Sequence, residues 1–137
     1  RRRHGRGGDV VCTSTYIRGA SIVWYYPFTH CFYVGWLQSN GVLQALDIGN
    51  CDIGTETLIA LATVMKENKK LQQLNIENAR VFSRQEDSTY HLCRMLQVNR
   101  TLGSLNLAKH KIVDFGAELV AEHLECNTSL FAINLRR

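Results

Sequence analysis

A short pattern, L-x-x-[LI]-x-[LI], recurs four times along the chain: "LQALDI" from Leu43, "LQQLNI" from Leu71, "LGSLNL" from Leu102 and "LFAINL" from Leu130. The intervals are 28, 31 and 28 residues. Three positions before each copy stands an asparagine: Asn40, Asn68, Asn99 and Asn127. Ahead of three of these asparagines runs an amphipathic stretch: "LIALATVMKEN", "STYHLCRMLQVN" and "ELVAEHLECN". Units of this size cannot bury an apolar face alone, so they must stack, each covering its neighbour. That requirement constrains the fold more than any other feature of the chain.

Successive side chains of a strand face opposite ways. Leu46 and Ile48, Leu74 and Ile76, Leu105 and Leu107, and Ile133 and Leu135 therefore point into one shared core. In the amphipathic stretches, Leu61, Val64 and Met65, then Leu92, Met95 and Leu96, recur at helical spacing and turn towards the strands. One strand and one helix per unit predict an α/β solenoid of about 3.5 repeats, with a curved parallel sheet inside and helices outside. Each asparagine falls where a helix must end, and asparagine tolerates the left-handed conformation of such an end.

The 28-residue period, the L-x-x-L-x-L-x-x-[NC] strand and the following "CDIGTETLIALATVMKEN" resemble the ribonuclease-inhibitor class of leucine-rich repeats. "HKIVDFGAELVAEHLECNTSL" is similar to the same class, with Val113 and Phe115 departing from its pattern. The resemblance covers residues 32–137 and implies a non-enzymatic, protein-binding solenoid. At the class's N/C position this chain has Cys51, Ala79 and His110, and only Cys51 is standard. The side-chain ladder of that position is therefore expected to fail in two repeats, with His110 bonding locally. The longer second interval places extra residues in "ARVFSRQEDSTYH", a loop between strand and helix.

Chemistry-bearing motifs are few. The sequence holds no G-x-S-x-G, no P-loop and no dinucleotide fingerprint. The five histidines form no metal-ligand spacing, and His123 takes the place of Val64 and Met95 as a packed residue. No enzyme, cofactor, metal or small-molecule substrate is expected. Two N-x-[ST] sequons begin at Asn99 and Asn127, and the repeat itself accounts for both asparagines. The five cysteines are odd in number and widely spaced, which argues for reduced thiols. The net charge of +4 lies wholly in residues 1–18, where five arginines face one aspartate. Such a tail could touch RNA, but it lacks interleaved aromatics, so a nucleic-acid partner is not expected.

What remains is the outward face of the strands. By register it presents Ala45, Gln73, Ser104 and Ala132, then Asp47, Asn75, Asn106 and Asn134, then Gly49, Glu77, Ala108 and Arg136. The middle row is polar throughout. Gln73, Asp47, Asn75, Glu77, Asn106 and Asn134 are the candidate partner-binding residues, and other proteins are the expected partners. The resemblance implies a cytoplasmic setting, as a subunit of a larger assembly such as a cilium or axoneme. The alternatives are a nuclear or nucleolar RNA-associated factor and an enzyme inhibitor.

Residues 1–31 fall outside the repeat. Thr15 stands 28 residues before Leu43, but Arg18 and Ala20 occupy what should be apolar strand positions. Residues 21–36, "SIVWYYPFTHCFYVGW", hold seven of the twelve aromatic residues. Their second half aligns with the repeat helices, so Tyr33, Trp36 and Leu37 take core positions. Residues 19–46 lack Asp, Glu, Lys and Arg, but Pro27, His30 and several hydroxyls argue against a membrane span. The first half reads either as an aromatic cap or as sequence foreign to the solenoid. The pattern breaks off in the fourth strand without a polar capping unit, so a fragment of a longer array is expected.

Overall fold

The computed structural model describes residues 15–17, 20–22, 35, 37–51, 53–79 and 85–137. Four three-residue strands recur at the repeat positions: β3 (Ala45–Asp47), β4 (Gln73–Asn75), β5 (Ser104–Asn106) and β6 (Ala132–Asn134). They pair in parallel and in sequence order. The register is the one the repeat implies: Leu46 lies beside Leu74, Leu74 beside Leu105, and Leu105 beside Ile133. Two further strands, β1 (Thr15–Ile17) and β2 (Ala20–Ile22), form an antiparallel hairpin whose β1 lies antiparallel against β3. A reversed strand at this edge accords with the loss of the repeat pattern upstream.

Helices α1 (Thr55–Glu67), α2 (Gln85–Val98) and α3 (Asp114–Leu124) alternate with the strands and pack side by side. Between the helix and strand layers lies a single core. Leu46, Ile48, Leu74, Ile76, Leu105 and Leu107 enter it from the sheet, while Leu58, Leu61, Met65, Leu92, Met95 and Leu96 enter it from the helices. Ile133 and Leu135 are only partly buried. Leu37 is fully buried and closes the core at the first repeat. Tyr33, Trp36, the remainder of residues 1–31 and residues 80–84 of the expected long loop lie outside the described residues, whereas the rest of that loop's stretch, from Gln85, is helical and begins α2. Among those described, no helix is long and apolar enough to cross a membrane.

The helix-end asparagines work by a different device from the one the sequence suggested. Asn68 is extended (φ −72, ψ 123), not left-handed. Its Oδ1 accepts from the backbone N–H groups of Lys70 and Leu71, both at 2.9 Å, and its Nδ2 donates to the carbonyl of Leu37 in the preceding repeat. Asn99 repeats the arrangement: Oδ1 accepts from Thr101 and Leu102, and Nδ2 donates to Met65 O at 2.6 Å and Asn68 O at 3.1 Å. Asn127 accepts from Ser129 and Leu130 and donates to Leu96 O and Asn99 O. One amide thus closes the turn into its own strand and ties its repeat to the one before. Both sequon asparagines are consumed by this ladder.

Left-handed backbone occurs instead after the strands, at Asn50, Asn78 and Lys109, three residues beyond Asp47, Asn75 and Asn106. The parallel ladder continues through these turns, with Asn50 N donating to Glu77 O, Asn78 N to Ala108 O and Lys109 N to Arg136 O. The N/C position gives a second correction. His110 is buried, and its Nε2 lies 2.6 Å from the carbonyl of Ile76, one repeat upstream. It therefore performs the ladder role rather than bonding locally. Cys93 and Cys126 are free, but Cys51 is disulfide-bonded, so the expectation of reduced thiols fails there.

Candidate functional site on the sheet face

The predicted polar row exists as a continuous line, because Asp47, Asn75, Asn106 and Asn134 are direct neighbours across the four parallel strands. Beside it runs the row Ala45, Gln73, Ser104 and Ala132. Gln73 and Asn134 are exposed, while Asp47, Asn75, Glu77 and Asn106 are half-buried.

Each member of the polar row also shapes its own turn. The Oδ1 atoms of Asp47, Asn75, Asn106 and Asn134 accept from the backbone N–H two residues on, of Gly49, Glu77, Ala108 and Arg136, at 3.0 to 3.1 Å. Short polar side chains make such turns readily. These side chains are consequently held in place, with their remaining polar atoms at fixed positions. Gly49 gives Asn75 room: a Cβ there would sit 3.1 Å from Asn75 Nδ2.

Besides Asp47, the face carries an ion pair between the second and third repeats. Lys109 Nζ pairs with Glu77 Oε1, and Asn106 Nδ2 donates to Glu77 Oε2 at 3.4 Å. The hydrogen bond from Lys109 holds the Glu77 carboxyl below its ordinary range, against a partial loss of solvation. Lys109 was not among the residues singled out from sequence. Its signal was present, since it occupies the left-handed register position of Asn50 and Asn78. Phe131 was missed for a different reason. It precedes the strand proper, is 82% exposed, and lies across Gly103, where a Cβ would stand 2.4 Å from its Cε1.

Among the described residues no group of three or more His, Cys, Asp or Glu is placed to hold a metal ion. The face is an open polar array on a rigid sheet. Its chemistry is that of recognition: fixed donors and acceptors, one ion pair and one exposed aromatic ring.

Strand-turn-helix units stacked in parallel register around a leucine core are the leucine-rich-repeat fold, and residues 39–62 match the family described as "Leucine Rich repeat". The chain is similar to Leucine-rich repeat-containing protein 34. To the mouse protein it is 34% identical over 84 residues, covering 61% of this chain and 20% of that one. To the human protein it is 38% identical over 57 residues, covering 42% of this chain and 12% of that one. The chain thus spans a fifth or less of these curated relatives. A solved structure titled "Leiomodin-1 Actin-Binding Site 2 (ABS2)" shares the fold, with a TM-score of 0.70 and 22% identity over 81% of this chain and 65% of that one.

Proposed function

We propose that this chain is a non-enzymatic scaffold that binds other proteins through its sheet face, as a subunit of a larger assembly. The observation that carries this reading is the row Asp47, Asn75, Asn106 and Asn134, aligned strand by strand and held by its own turns. A preorganised array loses little conformational freedom on binding, so its polar groups can be matched by a partner at small entropic cost. Gln73 and Glu77 extend the surface on either side of the row. The structural neighbour's title names an actin-binding site, which supports protein recognition by this fold without identifying the partner here.

The setting proposed is cytoplasmic, in a cilium or axoneme. The test is affinity purification of the full-length protein with mass spectrometry, against a variant carrying Gln73→Arg and Ala132→Arg. Both residues are exposed on the face. A defined protein set should be retained by the parent and lost by the variant, and equal recovery by both would refute the reading.

A second reading, an RNA-associated nuclear or nucleolar factor, draws on the arginine excess in residues 1–18. It requires RNA affinity that falls steeply with salt and disappears when residues 1–8 are deleted. Inhibition of an enzyme by the sheet face, the third alternative, is tested by assaying the recovered partners for activity.

A further inference from the structure

Away from the sheet face, on the edge where helices α1 and α2 end, lies an open cavity of about 260 Å³. Lys66, Lys69 and Arg100 line it together with Val98, Asn68, Asn99 and Thr101. Three cations and no acid line this space, although the exposed Glu67 stands between Lys66 and Asn68 in the chain.

Cations at helix C-termini commonly serve the helix itself, by meeting its last carbonyls. Here the asparagine ladder does part of that work. Met65 O and Asn68 O receive Asn99 Nδ2, and Asn68 O also receives the Thr101 hydroxyl. Arg100 makes one long contact, 3.4 Å, to Asn99 O. None of the three cations is ion-paired among the described residues. Val98, 52% exposed, adds an apolar surface beside them. The asparagine ladder thereby leaves positive charge available at the rim of a cleft.

We infer that this cleft docks an acidic segment of a protein partner, carboxylate side chains meeting Lys66, Lys69 and Arg100 while an apolar stem rests on Val98. The inference rests on the reading of the chain as a protein-binding scaffold and gives it a second contact surface. Charge complementarity selects an acidic peptide over nucleic acid because the basic character is local. In the next repeat Glu125 occupies the register position of Lys66, and Thr128 that of Lys69 and Arg100. A phosphate backbone following this edge would run onto Glu125, and no aromatic side chain lines the cleft to stack a base. A short acidic segment needs only the cleft.

The test is fluorescence anisotropy of the full chain with a labelled oligoglutamate peptide, an oligoglutamine peptide and a single-stranded RNA of matched length. The oligoglutamate should bind and the oligoglutamine should not. Lys66→Gln with Lys69→Gln should weaken binding about tenfold, as removal of two partly screened charges implies. Arg100→Gln should weaken it about threefold, and Arg94→Gln, a cation on the exposed face of α2, should change it less than twofold. Lys69, Arg94 and Arg100 are exposed and Lys66 is half-buried outside the core, and unchanged thermal melts verify that the fold is kept. If Gln73→Arg with Ala132→Arg abolishes peptide binding while the edge variants do nothing, the scaffold reading survives and this inference falls. Tighter binding of RNA than of peptide, lost in the same edge variants, overturns it in favour of nucleic acid. Failure of oligoglutamate to bind at all also overturns it.

Discussion

Replacing Asn99 by alanine removes four hydrogen bonds in one step. Its Oδ1 accepts from Thr101 N at 2.9 Å and Leu102 N at 2.7 Å, and its Nδ2 donates to Met65 O and Asn68 O. Asn99 is 2% exposed, so water cannot replace every lost partner. Asn68 O keeps the Thr101 hydroxyl. Met65 O and Leu102 N lose their partners in buried surroundings, each at about 1–3 kcal/mol. The expected loss is therefore about 3–4 kcal/mol, a large share of the 5–15 kcal/mol typical of a domain's stability. Asn40 supplies the internal comparison, because it is less buried and its Oδ1 accepts only from Val42 N and Leu43 N. Its alanine variant should lose about 1 kcal/mol. Urea unfolding of the full chain, followed by circular dichroism, gives both values from the midpoint and slope. Equal losses for the two variants would refute the idea that the backward bonds to the preceding repeat carry most of the ladder's contribution.

Three further predictions follow from single residues. Burial holds the His110 imidazole below its ordinary pKa, with the bond to Ile76 O acting against this. Its neutral form therefore stabilises the fold above the unfolded value of about 6.5, and that contribution is lost as pH falls below it. Stability measured from pH 8 to 5 should decline below about pH 6.5, and His110→Asn should flatten the curve; an unchanged curve would count against the assignment. Burial also raises the Cys93 thiol to about 11, whereas Cys126 is exposed, so a maleimide reagent should label Cys126 in the native chain and spare Cys93. Gly103→Ala should cost under about 1 kcal/mol because the exposed Phe131 ring can swing aside, an outcome readable as a change in Phe131 ring chemical shifts.

Leucine spacing made the architecture legible because apolar periodicity is a direct record of which side chains must share a core. Leu46, Leu74 and Leu105 could be placed in one register from their positions alone, and they are neighbours in the sheet. The polar row was legible for the same reason, since Asp47, Asn75, Asn106 and Asn134 alternate with core residues. Long-range side-chain bonds were not legible. Asn68 and a left-handed cap look alike in sequence, because the amide's reach to Leu37 O depends on how closely two repeats stack. His110 was unreadable on similar grounds: an imidazole can span to Ile76 O only because the turn beneath it has the shape that the strand hydrogen bonds impose. The hairpin of β1 and β2 obeys no repeat, so periodicity had nothing to say about it.

The asparagine ladder also has a mechanical consequence. The amide donors of Asn68, Asn99 and Asn127 reach towards the N-terminal neighbour, while the carbonyl oxygen of the same side chain stays within its own turn. A pulling force that separates two repeats therefore breaks the donor bonds at one seam and leaves each turn closed. Tearing proceeds seam by seam, and each event releases one unit of 28 or 31 residues. Fully extended, such a unit spans on the order of 100 Å. Under load such a stack is expected to lengthen in discrete steps, one unit at a time, while the remaining seams hold.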